Sequence, residues 1–241
     1  MKIAVLGASG LIGGQVVDIL KDDGHEVVAA ARNTGVDVLT GAGLADALAG
    51  ADALVDVTNS PSFADDAVLD FFTTSSNHLT ATASEQGVGH YVALSIVGAE
   101  DLPDSGYMRA KVAQERIITG SGLPYTIVRA TQFQEFAEAI VAEMTINGEV
   151  RTPDALIQPI AAAEVAAAVA RAAVGPPRNG VVNIGGPDKV SFADLARVVL
   201  ARQHAETPVA VDSTARYFGT TLQQTSLVTG DGAVLATTPF Q

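Results

Sequence analysis

The chain has 241 residues, no cysteine and a formal net charge of −13. That length suits one α/β domain with at most a small lobe, the lack of cysteine excludes disulfides and thiol catalysis, and the excess of carboxylates opposes non-specific nucleic-acid binding. No apolar run is long enough to cross a bilayer, and the dispersed His25, His78, His90 and His204 offer no metal-ligand spacing, so neither membrane nor metal is expected.

Lys2-Ile-Ala-Val-Leu6 is a short β-branched run and predicts a buried strand. Met1 leads straight into it, so no signal peptide and a cytoplasmic location are expected. Gly7-Ala8-Ser9-Gly10-Leu11-Ile12-Gly13 follows without a spacer, and Leu11, Ile12, Val16, Val17 and Leu20 recur at helical spacing up to Gly24. A second apolar run, Glu26 to Ala31, closes on Arg32. Glycines therefore stand where a strand becomes a helix. A helix N-terminus offers unpaired N–H groups and partial positive charge to a pyrophosphate, and glycine lets the backbone approach it. The strand end that often carries an acid for a ribose 2′-hydroxyl carries Arg32 instead, whose guanidinium suits a 2′-phosphate. The expected ligand is NADP(H) in preference to NAD(H). Asp37 hydrogen-bonds an adenine or caps a turn; the residues leave both open.

Gly43 to Gly50 predicts a short helix and Ala53 to Val57 a third strand, ending in the polar loop Thr58-Asn59-Ser60-Pro61. In open parallel sheets that edge binds ligands. Phe63 to Gln86 predicts a helix with a stripe of Phe71, Phe72, Leu79 and Ala83. Asn77 inside it is poor by helix propensity, which suggests a role beyond packing. His90 to Leu94 is a fourth strand that delivers Ser95, Tyr107 to Ile118 a helix, and Tyr125 to Arg129 a fifth strand. This alternation predicts a doubly wound parallel sheet of Rossmann type. Residues 1–131 form the expected cofactor core. Residues 132–241 form mainly a C-terminal substrate lobe, with 181–184 returning to the sheet. Helices are expected over Gln132 to Met144, Glu164 to Val174 and from Ser191, while Arg216 to Gln241 resists assignment.

Tyr107 and Lys111, four apart, share a helix face, and Ser95 ends the strand before that helix. A carbonyl that receives hydride needs a proton, which Tyr107 can give. An ammonium beside it is expected to lower its pKa. Lys111 can also hold a ribose, and Ser95 can hydrogen-bond the substrate oxygen. Glu115, four beyond Lys111, either pairs with it or is an ordinary surface partner.

These pieces together resemble the atypical short-chain dehydrogenase/reductases, and within them the NmrA-like NAD(P)-binding proteins. The resemblance rests on Gly7 to Gly13, Arg32, Leu94-Ser95-Ile-Val-Gly98, Tyr107-Met-Arg-Ala-Lys111 with Glu115, and Gly122 to Arg129 followed by Gln132-Phe133. It implies that Thr58 and Asn59 pass the cofactor and that Ala130, Thr131, Gln132 and Phe133 lie near the nicotinamide. It implies that Asn77 stands where these enzymes often keep an active-site Asn. The expected activity is NADPH-dependent reduction of a small carbonyl or quinone. The alternative is a non-catalytic dinucleotide sensor that binds a protein partner. The helix of Phe71 and Phe72 or that of Tyr107 either forms a homodimer face or packs in the core.

Overall fold

The computed structural model describes residues 1–241. From the N-terminus, β1 (Lys2–Leu6), α1 (Leu11–Asp22) and β2 (Glu26–Ala30) are followed by α2 (Leu44–Leu48), β3 (Ala53–Asp56), α3 (Asp65–Glu85), β4 (His90–Ile96), α4 (Gly106–Gly120) and β5 (Tyr125–Ala130). The alternation then loosens into α5 (Ala137–Glu143), three short strands β6 (Thr145–Ile146), β7 (Glu149–Thr152) and β8 (Leu156–Ile157), and α6 (Ala162–Val174). The chain ends with β9 (Gly180–Gly185), β10 (Val190–Ser191), α7 (Phe192–Arg202), β11 (Val209–Val211) and β12 (Val234–Leu235). Seven strands make one parallel sheet in the order β12-β9-β5-β4-β3-β1-β2, a Rossmann-type doubly wound fold.

Both faces of the sheet are covered, which is why its inner strands read as continuous apolar runs instead of alternating ones. On one face, Val16, Val17 and Leu20 of α1 and Val165, Ala166 and Val169 of α6 pack over Ile3, Val5, Val55, Val92 and Val128. The other face carries Leu79 and Ala83 of α3 and Ile118 of α4 over Leu6, Leu54, Tyr91 and Ile127. Each such Val or Leu contributes roughly 1.5–3 kcal/mol on burial. Phe71 and Phe72 are buried as well, so their face of α3 packs in the interior.

A separate core lies beyond the C-terminal strand edge. Ile140, Val141, Met144, Phe192, Leu195, Val199, Tyr217 and Leu227 gather there against Leu102 and Met108. Two small sheets, β11-β7-β6 and β10-β8, frame this lobe.

Two expectations change. The helix expected over Gln132 to Met144 begins with a 3-10 turn, Gln134–Phe136, before α5. The unassigned tail returns to the sheet as β12, which pairs with Ile184 and Gly185 of β9. A two-residue strand has no periodicity to read. Its placement is set from outside by Glu164 of α6. That carboxylate accepts from Thr237 N and Oγ1, both at 2.8 Å, and from Thr238 N at 3.1 Å.

Candidate active site

The chain leaves β1 to form β2 on one side and returns to form β3 on the other. The crevice beyond the carboxyl ends of these strands is the usual ligand site of such sheets. Its floor is the glycine turn. Gly7 has φ +85°, and a Cβ there would lie 2.8 Å from Val57 O. A Cβ on Gly13 would lie 2.1 Å from Gly7 O, so this glycine lets α1 seat against the turn. At Gly10 a Cβ would meet only Gly7 O, at 3.3 Å. Gly10 has no side chain with which to cap α1, and the N–H groups of Leu11, Ile12 and Gly13 have no protein acceptor.

Gly7 and Ser9 line one wall of a cavity of about 230 Å³, with Arg32, Thr58, Asn59 and Pro61 around the rest. Arg32 opens a 3-10 turn, Arg32–Thr34, just past β2. Its side chain is exposed, with Nε 3.9 Å from Asp37 Oδ2. Asp37 Oδ1 accepts from Leu39 N at 2.8 Å, so this side chain caps a turn.

Asp56, the last residue of β3, organises the opposite wall and was not singled out in the sequence. Its signal was a carboxylate inside the apolar run Ala53 to Val57. It is wholly buried. Oδ1 accepts from Thr58 N at 3.1 Å and from Thr58 Oγ1 at 2.7 Å. Oδ2 accepts from the Tyr91 hydroxyl and from Gln114 Nε2, each at 2.9 Å. These bonds fix the loop that carries Asn59. Beyond it, Ser60 Oγ donates to Ser62 O at 2.7 Å.

α4 begins at a Ser105 cap whose Oγ accepts from Met108 N. Tyr107, in the first turn, donates its hydroxyl to Asn59 Oδ1 at 3.0 Å. Burial pushes this phenol up to about 12, against a small opposing effect of the Asn59 bond. Lys111 is buried one turn on. Its Nζ donates to Leu94 O at 2.9 Å and to Gln114 Oε1, and it lies 4.4 Å above the Phe72 ring. Burial lowers its pKa to about 8, while the carboxylates of Asp56 and Glu115 pull the other way.

These facts correct three expectations. The ammonium does not lower the Tyr107 pKa: Phe72 packs against both residues, and dehydration of the phenol wins. Glu115 pairs neither with Lys111 nor at the surface. It is buried and holds Arg129, through Oε1 to Nε at 2.9 Å and Oε2 to Nη2 at 2.5 Å, with Glu100 on the same guanidinium. Asn77 lies on the exposed side of α3, and its side chain hydrogen-bonds none of Ser95, Tyr107 or Lys111.

Ser95 sits next to last in β4, and Thr131 and Gln132 follow Ala130 at the end of β5. Ser95 Oγ, Thr131 Oγ1 and Gln132 Oε1 are buried without a protein partner. Native interiors satisfy nearly all such atoms, so a group of three at one strand edge points to a polar ligand. Phe133 stacks on Phe136 beside them, ring centroids 5.6 Å apart.

A family model described as NAD(P)H-binding matches residues 7–176. The chain belongs to this NAD(P)H-binding family. Its resemblance to the atypical short-chain dehydrogenase/reductases of NmrA-like type is thereby borne out. No curated protein matches the chain. Among solved structures, a dTDP-4-dehydrorhamnose reductase from Clostridium acetobutylicum is 18% identical with a TM-score of 0.73, over 98% of this chain and 95% of that one. UDP-glucose 4-epimerase from Thermus thermophilus, in complex with NAD, is 19% identical with a TM-score of 0.69, over 94% and 92%. MoeE5 in complex with UDP-glucose and NAD is 21% identical with a TM-score of 0.71, over 91% and 87%. At these identities the likeness is one of fold. No helix is long and apolar enough to cross a membrane.

The residues of the crevice fit the family's dinucleotide. The glycine turn has no room for added side chains at Gly7 and Gly13, the first N–H groups of α1 are unpaired, and the partnerless polar atoms lie further along the same strand edge.

Proposed function

We propose that the protein is an NADPH-dependent reductase that passes hydride to a small carbonyl or quinone. The observation that carries this reading is a single loop shared by two walls. Thr58 and Asn59 line the cavity that holds Arg32, and Asn59 also accepts the Tyr107 hydroxyl. A dinucleotide anchored at one end of this loop has its reactive end directed toward the residues at the other.

In this reading the N–H groups of Leu11, Ile12 and Gly13 hold the pyrophosphate. Arg32 holds a 2′-phosphate by paired hydrogen bonds, so NADPH is preferred to NADH. The bound cofactor supplies the hydride. Tyr107 remains protonated through the neutral range and acts as donor to the acceptor oxygen. Ser95 gives that oxygen a second hydroxyl partner. Lys111 ties Leu94 of β4 to Gln114 of α4 and meets the ribose only after a rotamer change. Asp56 orders the loop of Asn59 and is a positioning residue. The expected setting is the cytoplasm.

A phenol pushed up to about 12 is a weak proton source at neutral pH. That suits a quinone, whose reduced oxygen needs less help, better than an aliphatic ketone. Tyr107 and Lys111 share no hydrogen bond, each being held by other partners, and this favours the second reading, a dinucleotide sensor that answers to a protein partner. The test is consumption of NADPH, beside NADH, against a panel of quinones, aldehydes and ketones. Turnover with NADPH well above NADH supports the reductase; tight NADPH binding without turnover on any acceptor supports the sensor.

A further inference from the structure

The chain has 27 acidic side chains to 14 basic ones, yet a second cavity, of about 180 Å³, is lined by two arginines and no acid. The arginines are Arg171 and Arg178. Neither forms an ion pair, whereas Arg109, Arg129, Arg151 and Arg197 each pair with a carboxylate.

The cavity is a groove on the sheet face that α6 covers, away from the dinucleotide crevice. Arg171 stands in the last turn of α6, and Arg178 just precedes β9. Both therefore lie at the edge where the parallel strands begin, opposite the edge of the glycine turn. Side chains two apart in a strand share a face. Thr126 and Val128 of β5, with Val182 and Ile184 of β9, accordingly form one floor, and Val234 of β12 pairs beside Ile184. Ala168 and Ala172 of α6 make the wall. From the level of Thr126 to that of Ile184 is four residue steps, about 13 Å. The groove is thus cationic at one end and apolar along its length. It is open at the far end, where Val234 is 53% exposed.

The cationic end is held in place by the protein itself. Gly175 N donates to Arg171 O and Ala172 O, each at 3.2 Å, and closes α6. Arg178 N donates to Thr126 Oγ1 at 3.1 Å, and the same hydroxyl bonds Nε2 of the buried His90 at 2.9 Å. Asn179 N donates to Tyr125 O at 2.8 Å, and Asn179 Oδ1 accepts from Tyr125 N at 3.1 Å. The dipole of α6 accounts for a cation at Arg171, but not for a second at Arg178 on the loop beyond. The chain's own C-terminus lies elsewhere: the Phe240 ring sits 4.7 Å from the Arg202 guanidinium, on α7.

We infer that this groove binds a small amphipathic carboxylate, its head held by Arg171 and Arg178 and its unbranched hydrocarbon tail laid along β9 and β12. Guanidinium forks match carboxylate oxygens. Thr126 is the one other lining residue with a polar side chain, and its hydroxyl is already engaged. A sugar or nucleotide finds no partners there for its hydroxyls, whereas a hydrocarbon tail meets valine, isoleucine and alanine. The inference does not rest on the reductase reading.

The test is calorimetry with octanoate, beside octanol and acetate, on wild type, Arg171→Gln and Arg178→Gln, each with and without NADP+. Both arginines are exposed and unpaired, so the variants are expected to keep the wild-type Tm. One octanoate is expected to bind per chain, equally with and without NADP+. Octanol and acetate are expected to bind more weakly on the order of tenfold, and each substitution to weaken octanoate by a similar factor with NADPH affinity unchanged. Octanoate that fails to bind, octanol that binds as well, or an octanoate Kd that neither substitution raises overturns the inference. Displacement of octanoate by NADP+ also overturns it, by placing the fatty acid in the dinucleotide crevice. A wild-type dimer in sedimentation that either substitution breaks overturns it too, by assigning the groove to a second copy of the chain.

Discussion

The Tyr107 hydroxyl donates to Asn59 Oδ1 at 3.0 Å, tying the first turn of α4 to the loop that leaves β3. Asn59 lines the dinucleotide crevice and Tyr107 packs on Phe72 of α3, so this bond ties α4 to the crevice wall. Tyr107→Phe removes the bond and the proton source together. For a carbonyl acceptor the expected loss in kcat is about 10²–10⁴-fold, and for a quinone it is smaller. With the phenol's pKa at about 12, its deprotonation costs the wild type no activity across pH 6–10. A pH–rate profile of both proteins checks this.

Lys111 makes stability depend on alkaline pH. Burial brings its pKa to about 8 in the fold, against 10.5 in the unfolded chain. Below pH 8 both states hold the proton, and the cost of burying the ammonium is fully felt. Between the two values the unfolded state binds more protons, so stability rises with pH through that window, by up to about 3 kcal/mol from this group. Urea unfolding at pH 7 and pH 10 measures the rise, and Lys111→Met is expected to flatten it.

Gly13 and Gly10 of the motif do different work and are expected to fail differently. Gly13→Ala puts a Cβ 2.1 Å from Gly7 O, and the backbone must move. A loss on the order of 2–4 kcal/mol is expected. Gly10→Ala meets only Gly7 O at 3.3 Å. It is expected to fold with nearly unchanged Tm and to lose dinucleotide affinity, because the methyl group stands where the anion approaches. Thermal unfolding with and without NADPH separates the two.

Arg32 lies on the cavity wall with an exposed side chain and only a distant partner, Asp37, at 3.9 Å. Arg32→Ala is expected to leave stability within about 0.5 kcal/mol. It is expected to weaken NADPH on the order of tenfold to a hundredfold while changing NADH little. Fluorescence titration with both nucleotides gives the ratio.

Much of the sheet and its glycine turn was legible because local and global preferences agree there. The Lys2 to Leu6 run, the glycines after it and the stripe of Val16, Val17 and Leu20 all belong to one strand–turn–helix unit. What was hidden depends on distant partners. Asp56 reads as a stray acid until Tyr91 and Gln114 are brought to it across β4 and α4. The Tyr107 and Lys111 spacing places both on one helix face, but helical spacing does not reveal that Phe72 from α3 packs against each. Glu115 finds Arg129 on the next strand in preference to its helix neighbour. β12 is held by Glu164 and has no pattern of its own.

The most direct measurement is steady-state NADPH oxidation by wild-type protein and Tyr107→Phe, with a naphthoquinone and an aliphatic aldehyde side by side and NADH as the control cofactor. The account predicts turnover of the quinone with NADPH well above NADH, and a loss in Tyr107→Phe that is larger for the aldehyde. NADPH that binds tightly but reduces neither acceptor, or NADH that serves as well as NADPH, would contradict it.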